Sequence, residues 1–312
     1  MIELADILHA RNRIRPYLQP TPLEQAPHLG EKIWLKLENA NKTHSFKIRG
    51  ALNAILSLDE AARQRGIVTA SSGNHAQGVA FAAQLVGAKT EILMPKHTPK
   101  KKVRGVELYG GNAVLFGENF DETEAEALRR GREEGKTYVS AYNHPMIIAG
   151  AGTIGVEIVE SLPDVERVLV CVSGGGLISG VATAIKALRP ECEVIGVCAE
   201  SAPSMYNVFY GTEKPENWDT LAEALSGAIE EGSITIPIAQ KNVDRIVTVS
   251  EEQIAAAMRW MMGTQGWLVE GGGAVCVAAL LHEVVPHEGQ VTALTVSGGN
   301  VDLDTVRRVL NT

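Results

Sequence analysis

A chain of 312 residues with 45% hydrophobic and 21% charged positions is an ordinary globular sequence, long enough for one large domain or two lobes around a sizeable core. Its net charge of −8 argues against nucleic-acid binding, which calls for a basic face. The opening MIELADILHARNRIRPYL threads acids and bases through its apolar positions and is no signal peptide, and the apolar run Gly273 to Leu281 is far short of the roughly 20 residues of a membrane span. A cytoplasmic protein without membrane contact is expected.

Ile33 to Leu37 reads as a strand. It leads to KTHSFKIRGA, Lys42 to Ala51, in which Lys47 stands directly behind Phe46. Further strands are expected at GIVTASSG, TEILMP, NAVLFG, RVLVCVSGGG, EVIGVCAE, RIVTVS and VTALTVSGGN. Helical periodicity marks HAQGVAFAAQLVG, DETEAEALRRGREEG, AGTIGVEIVESL, ISGVATAIKALRP, EEQIAAAMRWMM and AVCVAALLHEVV. The basic run PKHTPKKKVRG opens another helix, its lysines either a solvated face or an anion contact. Apolar strands bounded by turns and alternating with helices predict a mostly parallel α/β architecture with helices flanking the sheets. The four cysteines, at 171, 192, 198 and 276, have no zinc spacing and read as buried reduced thiols. GAGTIG at 150–155 spells a dinucleotide fingerprint, but no good strand precedes it and no acid closes the next strand, so its small residues are assigned to helix packing.

Ligands of parallel α/β sheets bind beyond the carboxyl ends of strands. Three such ends are polar or glycine-rich: TASSGNHAQG, VSGGGLISG and VSGGN. Gly174, Gly175 and Gly176 precede a helix, so they form either an anion cradle of bare N–H groups or a tight packing turn. Ser71, Ser72, Asn74 and His75 gather donors that suit a carboxylate or phenolic oxygen, or cap a helix. Lys47 taken alone is a surface charge. A lysine with a lowered pKa can instead form a Schiff base. An aldehyde, a phosphate and an aromatic ring in one cofactor describe pyridoxal 5′-phosphate, and the joint pattern points to it.

SFKIRGA, SSGNHAQG, SGGGLISG and SGGN, in this order, resemble the fold-type II pyridoxal-phosphate enzymes, in particular the threonine/serine dehydratases and serine racemases. The likeness runs from TPLE to SGGNVDL. It implies a two-lobed, tryptophan-synthase-β-like fold: residues 1–65 and 144–312 as a discontinuous cofactor-binding domain, and 66–143 as a small mobile domain. By resemblance, Lys47 is the Schiff-base lysine and Phe46 the aromatic beside the cofactor. Asn74 faces the phenolic oxygen. Gly174, Gly175, Gly176 and Leu177 hold the phosphate. Ser297 faces the pyridine nitrogen and Glu270 is an acid near the cofactor. Ser71, Ser72, Asn74 and His75 hold the substrate carboxylate. A homodimer or homotetramer acting on a small amino acid is implied.

The implied reaction is α,β-elimination from 3-hydroxy amino acids such as L-threonine and L-serine, giving a 2-oxo acid and ammonia. A neutral Ser297, unlike an aspartate, favours loss of the β-group over transamination, and Lys47 is the expected base for the α-proton. Ser72 stands where racemases of the family keep a second acid–base group, so serine racemisation with side dehydratase activity is the alternative. Three departures follow. Glu200, Ser204 and Tyr206 lack a carboxylate of the racemase-type metal site, and no metal is expected. Tyr142 occupies a family asparagine position, with Asn143 beside it. AEALSGAIEEG departs from the usual Asp-Gly form, which leaves room for a more polar substrate such as 3-hydroxyaspartate. With the chain ending at Thr312, no allosteric control by isoleucine is expected.

Overall fold

The computed structural model describes residues 2–311. Its strands are β1 (Leu23–Gln25), β2 (Ile33–Leu37), β3 (Ile67–Ala70), β4 (Thr90–Met94), β5 (Ala113–Leu115), β6 (Thr137–Tyr138), β7 (Arg167–Cys171), β8 (Glu193–Ala199), β9 (Arg245–Val249) and β10 (Thr292–Val296). One sheet runs β1-β2-β10-β7-β8-β9, with only β1 antiparallel to its neighbour. The other runs β5-β4-β3-β6 and is parallel throughout. Helices α1 (Leu4–Ile14), α2 (Lys47–Leu56), α3 (Glu60–Arg65), α4 (Asn74–Leu85), α5 (Lys100–Leu108), α6 (Phe120–Glu133) and α7 (Pro145–Ser161) are followed by α8 (Gly176–Leu188), α9 (Ser204–Tyr210), α10 (Thr235–Asn242), α11 (Glu251–Trp260), α12 (Gly271–Leu281) and α13 (Leu303–Leu310). This is the expected parallel α/β architecture. Strands β7 and β10, at the middle of the larger sheet, are buried at every position, as continuous apolar runs require.

Helix α7 begins earlier than its periodicity suggests. HPMIIA is its first turn: His144 Nδ1 accepts from the Met146 N–H at 3.2 Å and Pro145 occupies the first helical position, where its missing donor costs nothing. The GAGTIG glycines lie inside α7 and serve close packing. A Cβ at Gly150 would stand 2.6 Å from the Arg49 carbonyl, and one at Gly155 2.9 Å from both the Val181 carbonyl and Ala184. Helix α7 thereby touches α2 on one side and α8 on the other. Helix α2 is shared between the sheets: Ile48, Leu52 and Ile55 pack with Ala76, Val79 and Ala83 of α4 and with Ile147 of α7. All four cysteines are buried and unpaired. Among the described residues no helix is long and apolar enough to cross a membrane.

Behind α2 lies a buried cluster of two cations and two carboxylates. The Arg49 guanidinium donates to Glu38 at 2.7 and 2.9 Å and to Glu157 at 2.6 and 2.8 Å, and Lys36 Nζ reaches Glu157 at 2.6 Å. Lys36, Glu38 and Arg49 are each at most 1% exposed. Burial works to raise the Glu38 carboxyl, but the Arg49 charge and hydrogen bonds override it and hold it below the usual range. Burial lowers Lys36. The four formal charges cancel, and the fork geometry of arginine satisfies both acids together. Arg49→Met strands two buried carboxylates with one lysine, so a loss of about 3–5 kcal/mol of unfolding free energy is expected in urea titrations. A loss below about 1 kcal/mol would show that the cluster contributes little.

Candidate active site

The ends of β2, β3, β7 and β10 converge on one cleft. The Phe46 N–H donates to the Ser297 carbonyl at 3.0 Å, and Ser45 bridges to Gly298, which ties the start of α2 to the end of β10. Lys47 opens α2, its ammonium 5.3 Å from the Phe46 ring centroid, and donates to the Ala141 carbonyl at 2.7 Å. Enclosure by protein lowers its pKa to about 8, against the raising pull of Cys171 and Glu270. The side chain nonetheless keeps an opening to the cleft, being only half-buried by surface.

At the exit of β7 the chain makes a left-handed turn at Gly175, φ +87°, and enters α8. The glycines are required by their neighbours. A Cβ at Gly174 would meet the Tyr142 ring at 2.7 Å, one at Gly175 the Met205 methyl at 2.5 Å, and one at Gly176 Tyr142 Cβ at 2.9 Å. Thr235 Oγ1 donates to the Gly174 carbonyl at 2.7 Å and fixes the turn from behind. The amides of Gly174, Gly175, Gly176 and Leu177 find no acceptor among the described residues. Both readings of the turn hold together: it packs tightly, and it leaves a row of free donors at a helix N-terminus.

At the exit of β3, Ser71 Oγ accepts from the Gly73 N–H at 3.3 Å, while the partly exposed Ser72 has no hydrogen-bond partner among the described residues. Asn74 Nδ2 donates to Glu270 at 2.7 Å, and its Oδ1 accepts from Asn300 Nδ2 at 2.7 Å. Burial pushes Glu270 up to about 7, against the lowering hydrogen bond from Asn74. The His75 ring is buried: Nε2 donates to the Val139 carbonyl at 3.0 Å, leaving Nδ1 without a partner. Burial first, and the Lys47 charge second, push this histidine down to about 3, so it is neutral. Ser297 Oγ donates to the Gly272 carbonyl at 3.2 Å and also hydrogen-bonds the Cys171 thiol, which burial pushes up to about 11. Tyr142, noted in the sequence as a departure, lies against the glycine turn, and its hydroxyl accepts from the Glu230 N–H at 2.8 Å.

Some of this arrangement was not read from the sequence. Asn300 closes the SGGN motif, yet its hold on Asn74 was not assigned; its place in the motif is the available signal. Thr235, on the back of the glycine turn, carries no local signature. The basic run meets protein acids: Lys101 pairs with Asp302, and Lys102 with Glu223 at 3.1 Å. Ser204, in the region read against a metal site, donates to Glu216 at 2.9 Å, and Glu200 is exposed.

Comparison with known proteins accords with this geometry. Residues 14–298 match the model of the family described as pyridoxal-phosphate dependent enzymes. The chain is 44% identical over 317 residues to an L-threonine ammonia-lyase of Thermotoga maritima, covering 100% of this chain and 79% of the relative. It is 37% identical over 316 residues to the catabolic L-threonine dehydratase TdcB of Escherichia coli K12, covering 99% and 96%. Among solved structures, maize serine racemase superposes with a TM-score of 0.92 at 33% identity, covering 99% and 97%. A lysine and free backbone amides gathered at the strand ends mark an α/β enzyme that holds an anionic cofactor. The chain belongs to the pyridoxal-phosphate dependent enzyme family.

The residues present fit that cofactor. The glycine turn offers amides where a side chain would collide, and Lys47 is an amine whose pKa burial lowers to about 8. In the cofactor-free protein, acylation of Lys47 by an amine-directed reagent is expected to rise with a midpoint near pH 8. Roughly a quarter of such amines are neutral at pH 7.5, against about one in a thousand for an ordinary lysine. Glu270→Gln removes a group that raises this pKa, so the midpoint should fall. Peptide mass mapping across pH measures both, and a midpoint near 10 would refute the assignment.

Proposed function

We propose that the protein is an L-threonine/L-serine ammonia-lyase: it converts a 3-hydroxy amino acid to the 2-oxo acid and ammonia by α,β-elimination. The carrying observation is Lys47, an amine with a lowered pKa enclosed at the cleft between an amide-lined turn and the uncharged Ser297. The relatives named for threonine deamination support the substrate class.

In this reading Lys47 would bind the cofactor aldehyde and Phe46 would flank the ring. Gly174, Gly175, Gly176 and Leu177 would hold the phosphate, Asn74 the phenolic oxygen, and Ser297 the ring nitrogen. The cofactor, when bound, would supply a sink for the electron pair left at Cα. Everything else falls to the chain. Ser71, Ser72 and the amides at the start of α4, including that of His75, orient the substrate carboxylate. The His75 ring supports the loop through Val139. Lys47 takes the α-proton, which its lowered pKa permits at neutral pH. The β-hydroxyl leaves with a proton as water, and hydrolysis of the released enamine takes up that water, so threonine is converted to 2-oxobutanoate and ammonia in balance. Glu270, poised near neutrality, shares a proton with its surroundings without placing a full negative charge beside the ring.

Residues 66–143 act as a small domain that moves against 1–65 and 144–312. Its interlobe ion pairs at Lys101 and Lys102 are exposed and easily remade. The protein acts in the cytoplasm as a homodimer or homotetramer.

Ser72 favours one second reading. Its unengaged hydroxyl is free to act as the opposing acid–base group that racemisation needs, and a serine racemase shares the fold at high overlap. Incubation with L-threonine, L-serine and 3-hydroxyaspartate, with ammonia, keto acid and enantiomers assayed together, separates the two. Release of ammonia and keto acid from L-threonine at rates well above D-amino-acid formation is expected. Fast D-serine formation with little keto acid would overturn elimination as the main activity. Ser72→Ala should abolish any racemisation and leave elimination from the L-substrate within about tenfold.

A further inference from the structure

The three glycines that leave room at the exit of β7 also leave it loose. A peptide unit between two glycines meets no Cβ on either side, so it turns over at little steric cost. The unit joining Gly174 to Gly175 is of this kind, and Gly175 sits at φ +87°. Because the peptide is planar and trans, its C=O and its N–H point in opposite directions. Only one of them can face the cleft. With the N–H inward, an anion meets a donor; with the carbonyl inward, it meets a partial negative charge. The apolar contacts of the Tyr142 ring limit the space at Gly174 and Gly176, but such contacts have no direction and do not choose between the two orientations.

The choice is made from behind. Thr235 is fully buried, and its Oγ1 donates to the Gly174 carbonyl at 2.7 Å. A hydroxyl has one proton. That of Thr235 is spent on Gly174, so in the 2.8 Å contact between Ser233 Oγ and Thr235 Oγ1 the Ser233 hydroxyl is the donor. The Thr235 carbonyl accepts in turn from Ser179 Oγ of α8 at 3.2 Å, and Ser179 and Ser233 are buried as well. Each of these three buried hydroxyls thus has its proton assigned. On the other side of the same peptide, the buried Gly175 N–H finds no acceptor among the described residues, and a buried N–H calls for one.

We propose that Thr235 is a positioning residue of the cofactor site: its hydroxyl turns the Gly174 carbonyl away from the cleft and thereby aims the Gly175 N–H at the cofactor phosphate. The proposal rests on the reading that this turn holds the phosphate and is independent of the elimination chemistry. Removing the hydroxyl frees the peptide to turn over, which sets a carbonyl where the donor stood. Binding through the phosphate weakens, while Lys47, on another element, keeps its amine in place.

The test compares pyridoxal 5′-phosphate with pyridoxal, which keeps the aldehyde and the ring but has no phosphate. The full chain is stripped of cofactor and titrated with each, binding is read from the absorbance of the bound molecule, and folding is checked by circular dichroism. The ratio of the two dissociation constants measures what the phosphate contributes. In Thr235→Val, which keeps the side-chain volume, the ratio should fall by about tenfold or more, because a donor to a charged group is lost. The fall should come from weaker pyridoxal 5′-phosphate binding, with pyridoxal within about threefold of the wild type. Thr235→Ala should do the same, and it carries the test should the valine variant not fold. Thr235→Ser, which keeps the hydroxyl, should hold the ratio within about threefold. A ratio unchanged without the hydroxyl, or lowered as far in Thr235→Ser, overturns the positioning role. Equal weakening for both molecules marks a general loosening of the fold and overturns it too. A wild type that binds the two alike overturns the phosphate reading of the turn, and the proposal with it.

Discussion

The guanidinium of Arg49, held between Glu38 and Glu157, is the fixed point from which the site is built. Successive helical residues turn by about 100°, so Lys47 and Arg49, two positions apart, point to nearly opposite sides of α2. One side carries the buried ion cluster, whose partners come from the end of β2 and from α7. The other carries the amine that faces the cleft. Locking Arg49 in a bidentate fork fixes the rotation of α2 about its axis, and with it the direction of Lys47. A hydrophobic cluster of equal volume could be as stable. It would slide and rotate more easily, because apolar contacts do not fix angles.

Within the cleft, burial acts on two groups of opposite charge type and brings both toward neutrality: Lys47 down to about 8 and Glu270 up to about 7. Each charge partly supports the other, and neither is paired outright. That separates this pair from the Arg49 cluster, where direct hydrogen bonds keep the charges fixed. Uncommitted charge at the cleft and committed charge behind it divide the work: one side can exchange a proton, and the other cannot. His75 belongs with the second group. Its neutral ring holds Val139 and so ties the exit of β3 to the strand end beside it.

The local features were legible. Strand ends that finish in glycine or serine, and a lysine behind an aromatic, are short-range patterns, and they gave both the sheet architecture and the cleft. Strands β1 and β6 escaped because three and two residues show no periodicity. The first turns of α7 escaped because HPMIIA begins with a cap and a proline and only then turns apolar. The Arg49 cluster was not legible at all: its acids lie 11 and 108 positions away, a separation that only the fold closes. His75 shows the limit of residue type as a guide, since a histidine in a donor-rich loop can serve through its amide while its ring packs elsewhere.

Tyr142 brings these threads together. Its ring lies against Gly174 and Gly176, where any side chain on the turn would have stood. Its hydroxyl accepts the Glu230 N–H, and the adjacent Asn143 donates to the Glu230 carboxylate at 2.6 Å and accepts from Ile234. The segment around Glu230 and Ile234 is thereby stapled to the linker between the two sheets. The Tyr142–Asn143 pair anchors that loop. The glycine turn is thus clamped by Tyr142 on one side and Thr235 on another.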